Sequence, residues 1–114
     1  MKLEITVRSS DSSLRYEFRD GKIVEGVTIK RIDTKVIREI ANEPFDIAID
    51  VVKNVVIPFV APIIAAYLVH RLEKDKKAQL TINQKNVQVN AEEVKQLIIS
   101  LAMEEEDRKN SARE

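Results

Sequence analysis

The chain has 114 residues, the size of one domain, and its lack of cysteine excludes disulfides, thiolate metal sites and a cysteine nucleophile. Lys and Arg together number 19, as do Asp and Glu, so the net charge is zero. A dedicated nucleic-acid binder needs a basic surplus to displace counterions from phosphates, so no nucleic-acid partner is expected. The two glycines, Gly21 and Gly26, are too few for the glycine-rich loops that cradle phosphates.

Alternating apolar and polar residues predict strands in the first third of the chain. The period of two over residues 2–8 predicts a half-buried strand. Residues 14–18 repeat the alternation and predict a second strand. Asp20-Gly21 follows directly and favours a hairpin turn, which leads into a third strand over roughly residues 22–32.

The middle of the chain predicts helices. The polar pair at 33–34 offers an N-cap for a short helix that ends before Pro44, since the residue before a proline is displaced from the α region. Helical spacing then predicts a long helix over roughly residues 45–74. Pro58 and Pro62 lie inside it, so a kink or a break into two helices is expected there.

The last third predicts a hairpin followed by a helix. Residues 80–82 and 87–89 alternate around a polar connection in which no tight two-residue turn is obvious. Asn90 is a candidate N-cap for a helix over residues 91–103, which has one apolar face. The charged residues 104–114 are expected to fray as a tail.

These elements predict a single α+β domain over residues 1–103. The order is β-β-β-α-α-β-β-α, with about five strands in a mostly antiparallel sheet and the helices on one side. A long, kinked apolar helix and a C-terminal helix supply the helical layer.

The apolar segment 55–69, VVIPFVAPIIAAYLV, is the most informative feature of the sequence. A helix that packs on a sheet needs only an apolar stripe, whereas this one is apolar all round. The preceding Asp46, Asp50 and Lys53 share a helical face that becomes apolar beyond residue 55. Something must therefore cover the second half of the predicted helix.

Three covers are open. The first is the domain's own last helix. The second is another copy or a protein partner, since Ala61, Ala65 and Ala66 would let a neighbouring helix approach closely. The third is a membrane, although residues 55–69 span only about 22 Å against a hydrocarbon core of about 30 Å.

The sequence favours a protein surface over lipid. The expected function is a protein-interaction or homo-oligomerisation module, with a membrane-associated component that inserts or docks through residues 47–70 as the alternative. The predicted interaction surface comprises Phe59, Ala61, Ile63, Ile64, Ala65, Ala66, Tyr67 and Leu68. The predicted basic flank, which would also suit an anionic leaflet, comprises Arg71, Lys74, Lys76 and Lys77.

No catalytic pattern is present in the sequence. His70 is the only histidine, and no spaced cluster of carboxylates suggests a metal site around it. The serines at 9–13 have no histidine partner in a recognisable pattern. The protein is therefore expected to be non-enzymatic, with no cofactor and no metal. The lack of cysteine and of an apolar signal region favours a cytoplasmic location, with association at the inner membrane as the alternative.

Residues 51–101 resemble the effector-associated constant component domains of bacterial conflict systems. The resemblance lies in an apolar helix with a basic end (IIAAYLVHRLEKDKKA), a short strand pair (QLTINQKNVQVNA) and a helix beginning EEVKQLI. The chain departs from that pattern at Pro58 and Pro62, where glycine and alanine are usual, and in lacking an Asp-Gly turn in the loop. The resemblance implies a non-enzymatic partner of variable effector proteins in antiviral defence, and it supplies no site residues.

Overall fold

The computed structural model describes the backbone of residues 1–32, 44–75 and 77–112, and their side chains apart from Ser12 and residues 107–112. The short helix predicted to start at 33–34 lies outside the described residues. In the described part of the chain, six strands, two α-helices and one 3₁₀ helix form an α+β fold, as predicted.

All neighbouring strands of the sheet are antiparallel. The strands are β1 (Lys2–Arg8), β2 (Gly21–Val24), β3 (Val27–Ile32), β4 (Phe45–Val51), β5 (Gln79–Ile82) and β6 (Lys85–Val87). Their spatial order is β2-β3-β4-β1-β5-β6, so the first strand of the chain is internal. The helices are α1 (Ile57–Leu72) and α2 (Ala91–Ala112), and the 3₁₀ helix spans Ser12–Glu17.

The helices cover one face of the sheet. The inward side chains of β1, Leu3, Ile5 and Val7, are buried in one core cluster with residues of α1 and α2. The alternate β1 residues Lys2 and Glu4 are exposed on the opposite, polar face. This alternation is the usual pattern of an antiparallel sheet with one solvated face, and it confirms the first predicted strand.

Residues 45–51 form β4, so the prediction that a helix begins at residue 45 was wrong. Asp46 and Asp50 are four positions apart, a spacing that places them on one face of a helix. The same spacing places them on one face of a strand, together with Ala48. Pairing decides between the two periods, because β4 bonds to β1 on one edge and to β3 on the other.

The predicted strand at 14–18 is instead the 3₁₀ helix. The Asp11 side chain caps it by accepting a hydrogen bond from the Ser13 backbone N–H at 2.9 Å. Leu14 and Phe18 are both fully buried, whereas Tyr16 between them is exposed. Leu14 and Phe18 therefore anchor a 3₁₀ turn to the core. The alternation with a period of two did not indicate a strand here.

The first hairpin turn lies at Glu25-Gly26, not at the predicted Asp20-Gly21. Gly26 has a φ of 82° and Gly21 is the first residue of β2. The Asp20 carboxylate instead accepts a hydrogen bond from the backbone N–H of Arg31 at 2.7 Å. This contact holds the entry to β2 beside the end of β3.

The second predicted hairpin is confirmed, and it does contain a two-residue turn. Asn83 and Gln84 have φ values of 48° and 68°, as a type I′ turn requires. Asn83 is fixed by β1, since its N–H donates to the Glu4 carbonyl and its Oδ1 accepts from the Glu4 N–H, both at 2.7 Å. A tertiary contact thus supports the turn without glycine.

The cap of α2 is confirmed as well. Oδ1 of Asn90 accepts hydrogen bonds from the backbone N–H groups of Glu92 at 2.9 Å and Glu93 at 3.1 Å. The backbone of α2 continues to Ala112, so the charged segment predicted as a tail extends the helix, and its fraying stays a prediction. Nζ of Lys85 in β6 lies 3.0 Å from the Glu104 carboxylate, near the start of that segment.

Helix α1 is continuous through both prolines, so the predicted break into two helices did not occur, and the alternative of a kink stays a prediction. Pro58 lies in the first turn, where the missing N–H has no intrahelical partner. Pro62 lies inside the helix and leaves the Pro58 carbonyl without its usual donor. Both prolines are exposed, so solvent can reach this carbonyl.

Replacing Gly26 with alanine is expected to lower the free energy of unfolding by about 2–3 kcal/mol, because the added Cβ combines an unfavourable φ with overpacking. That Cβ would lie 2.4 Å from Cγ2 of Val55. Gly21→Ala is the matched control, since nothing lies within 4 Å of its added Cβ. Urea unfolding of both variants checks the prediction, and equal losses would contradict it.

Candidate interaction surface

Burial divides α1 lengthwise. One side is buried in the chain's own core, namely Val60, Ala61, Ile64, Ala65, Leu68 and Leu72. Four residues of the predicted interaction surface, Ala61, Ile64, Ala65 and Leu68, belong to this side. They are removed from the candidate surface, because a partner cannot reach a side chain that its own sheet and α2 already cover.

The other side of α1 remains exposed although it is apolar. Phe59 is 77% exposed, and Ile63 is 42% exposed. Pro62 and Ala66 are exposed beside them. The spacing of these four residues places them on one helical side. We call Phe59, Pro62, Ile63 and Ala66 the Phe59 stripe.

Three kinds of neighbour within the chain account for the apolar residues on the packed sides of α1. The helix contacts the sheet, α2 and the 3₁₀ helix. The chain's own last helix therefore supplies part of the cover that the sequence required, and the Phe59 stripe is the part left open. No helix within the described ranges is long and apolar enough to cross a membrane.

Apolar exposure continues beyond the N-terminal end of α1. Val52 and Val56, in and after the turn that precedes the helix, and Met103 of α2 are all more than half exposed. Val52 and Met103 line a groove of about 670 Å³ that also includes Pro58. These residues were not predicted, because only the antiparallel packing of α1 and α2 brings residue 103 beside the start of α1.

The predicted basic flank is largely engaged within the chain. Nε of Arg71 donates to the Glu17 carbonyl at 3.1 Å, and its guanidinium lies 3.6 Å from the centroid of the Tyr67 ring. Lys74 forms an ion pair with the Glu17 carboxylate. Arg71 and Lys74 therefore join the end of α1 to the 3₁₀ helix, and Tyr67, which is half-buried, belongs to the same contact.

Of the rest of the flank, the backbone N–H of Lys77 donates a hydrogen bond to the Asp75 carboxylate at 3.0 Å. Lys77 is exposed, and Lys76 lies outside the described residues.

The ion pair between Lys74 and Glu17 shifts the pKa values of both groups. The hydrogen bond from Lys74, and secondly its positive charge, lowers the pKa of Glu17. The same hydrogen bond raises the pKa of Lys74.

The described residues offer no metal centre. Among them, no group of three or more His, Cys, Asp or Glu side chains could hold a metal ion. His70, the only histidine of the chain, is exposed at the end of α1, with Nδ1 3.6 Å from the Glu73 carboxylate.

Comparisons with protein-family models, curated proteins and solved structures gave no match to this chain. Among the described residues, the Phe59 stripe and its exposed apolar neighbours form the surface that packing within the chain does not account for.

The two sides of α1 are expected to respond differently to truncation. Ile64→Ala should lower the free energy of unfolding by about 3 kcal/mol, because it leaves a cavity at a fully buried position. Phe59→Ala should lower it by less than about 1 kcal/mol in dilute solution, because the side chain is already hydrated. Urea unfolding checks this, and a larger loss for Phe59→Ala would show that the chain covers the stripe itself.

The contact between Glu17 and Lys74 predicts a pH-dependent stabilisation. Because the folded pKa of Glu17 is lowered from 4.5, its contribution is present above pH 4.5 and is lost as the pH falls through the folded pKa. Because the folded pKa of Lys74 is raised from 10.5, its contribution is present below pH 10.5 and is lost as the pH rises through the folded value.

Glu17→Gln should therefore destabilise the protein at neutral pH, and its difference from the wild type should vanish in acid. Thermal or urea unfolding at a series of pH values measures this difference. Glu106→Gln, at an exposed position of α2, is the control. A Glu17→Gln difference that persists unchanged at pH 2–3, about two units below the usual pKa, would contradict the prediction.

Proposed function

We propose that this chain is a non-enzymatic protein-interaction module that binds another protein surface through the Phe59 stripe. The observation that carries the proposal is the 77% exposure of Phe59 in the first turns of a helix whose other sides are packed. Large exposed apolar patches on folded proteins usually mark interaction sites. Aromatic residues in such patches contribute much of the binding energy.

The composition of the surface favours protein over lipid. The stripe itself carries no charged side chain, and two of the four cations in the predicted basic flank, Arg71 and Lys74, are engaged by Glu17. Burying the Phe59 side chain against a partner would contribute about 2 kcal/mol from removal of apolar surface alone.

The resemblance to effector-associated constant component domains suggests a class of partner. Under this proposal, effector proteins of a bacterial defence or conflict system would dock on the same stripe. The docking requires only an apolar surface that accepts Phe59 and Ile63, so one constant chain could serve several effectors.

Photo-cross-linking in cells of the organism that encodes the chain tests the proposal. With Ile63→p-benzoylphenylalanine, irradiation should give a protein adduct of discrete mass, since Ile63 lies in the middle of the stripe. The adduct should disappear when Ala66→Glu is added, because a charge at a desolvated contact weakens binding strongly. The same photoreactive group at Gln79, on the uncovered face of the sheet, is the control.

The outcomes separate the alternatives. An adduct that Ala66→Glu abolishes supports a protein partner at the stripe. Adducts with lipid alone would replace the proposal with membrane docking. Equal yields from positions 63 and 79, or no adduct from position 63, would overturn it.

A further inference from the structure

We infer that a second copy of the chain occupies the Phe59 stripe, with the two α1 helices packed antiparallel about a two-fold axis between Pro62 and Ile63. The inference rests on the proposed function and names a second copy as the partner that binds the stripe in the purified protein, so an effector protein would bind there only in competition with this pairing. Three features support it: the order of large and small side chains along the stripe, the charges at the two ends of α1, and the short distance between helices that the small side chain of Ala66 allows.

The stripe is complementary to its own reversed copy. In an antiparallel pair centred between Pro62 and Ile63, Phe59 of each copy lies opposite Ala66 of the other, and Pro62 lies opposite Ile63. The largest side chain thus meets the smallest, and the two-fold axis makes this contact twice. A parallel pair would instead place Phe59 against Phe59 and Ala66 against Ala66, which leaves a clash at one end and a gap at the other.

The small size of Ala66 also sets the distance of approach. Interaxial distances between packed helices are about 8–10 Å and depend on the side chains at the contact. Opposite Phe59, the methyl group of Ala66 leaves room for the ring at such a distance. Pro62 has no N–H and presents an exposed ring, so no backbone donor of that residue loses its hydration in the contact.

One pair of exposed charges at the two ends of α1, Lys53 and Glu73, favours the antiparallel arrangement, since the neighbouring cations Arg71 and Lys74 already contact Glu17. Lys53 is exposed in the turn before the helix, and Glu73 is exposed directly after it. An antiparallel pair brings the Lys53 end of one copy to the Glu73 end of the other, whereas a parallel pair brings like charges together. The helix dipoles give the same preference, since opposite ends then lie side by side.

The pair is expected to be weak. A standard interface buries about 800 Å² per partner, and one helical stripe provides less than this. We therefore expect a dimer with a dissociation constant of about 1–100 μM, detectable by sedimentation equilibrium over that range. Ala66→Glu should raise the constant at least about a hundredfold, because it places an unpaired charge against Phe59.

Gln79→Glu is the matched control for Ala66→Glu. It adds the same charge at an exposed position on the opposite face of the sheet, where it lies beside Arg8. It should leave the dissociation constant unchanged within about twofold, as is usual for an exposed site distant from a contact. Circular dichroism of both variants shows that each is folded, which Ala66→Glu should be because Ala66 is exposed.

Introduced cysteines test the direction of the pair, since the native chain has none. In the antiparallel pair, Phe59 and Ala66 of different copies are opposite each other, whereas two Ala66 residues are separated by about 10 Å along the axis. That separation exceeds the roughly 7 Å limit for a disulfide. Oxidation should therefore give a covalent dimer from an equimolar mixture of Phe59→Cys and Ala66→Cys, and little from Ala66→Cys alone.

Each result decides the inference. A mixed disulfide, with dimerisation weakened by Ala66→Glu but not by Gln79→Glu, supports it. Efficient oxidation of Ala66→Cys alone shows a parallel pair and overturns it. A monomer at every concentration also overturns it, and an Ala66-dependent adduct with a different protein in cells would then leave the proposed function intact.

Discussion

The pairing of β1 between β4 and β5 is the constraint on which the rest of the structure depends. It joins the beginning, the middle and the last third of the described chain into one sheet. The reciprocal bonds between Glu4 and Asn83, which are 79 positions apart, extend this pairing into the turn after β5. Both helices pack on the apolar face of the sheet, to which β1 contributes Leu3, Ile5 and Val7. The positions of the helices therefore depend on the register of β1.

The sequence pattern predicted elements whose apolar residues allow only one period. Residues 2–8, the hairpin that contains Asn83 and the cap at Asn90 belong to this group. It did not predict β4, because Asp46 and Asp50 satisfy the helical and the strand period equally well. The ambiguity is resolved only by β1 and β3, which pair with the two edges of β4. A pattern within residues 45–51 alone does not show these partners.

An ambiguity of the same kind placed buried residues in the interaction surface that the sequence predicts. A helix that is apolar all round gives no sign of which side faces its own core. Ile63 and Ile64 are adjacent and identical in type, yet one is exposed and the other is fully buried. The sheet, α2 and the 3₁₀ helix together decide this, since they leave one open side. The Phe59 stripe is therefore a property of the tertiary arrangement.

The internal position of β1 has a consequence for how the chain folds during synthesis. The first strand leaves the ribosome with an apolar face, but its partner β5 is made only after most of the chain has emerged. Proteins whose contacts are mostly between residues distant in sequence fold slowly. The chain loses entropy when a long loop closes before the contacts contribute favourable free energy. Until β5 is made, one edge of β1 has no partner within the chain and stays open to strands of other chains, so the growing chain is exposed to aggregation until residue 82 has emerged.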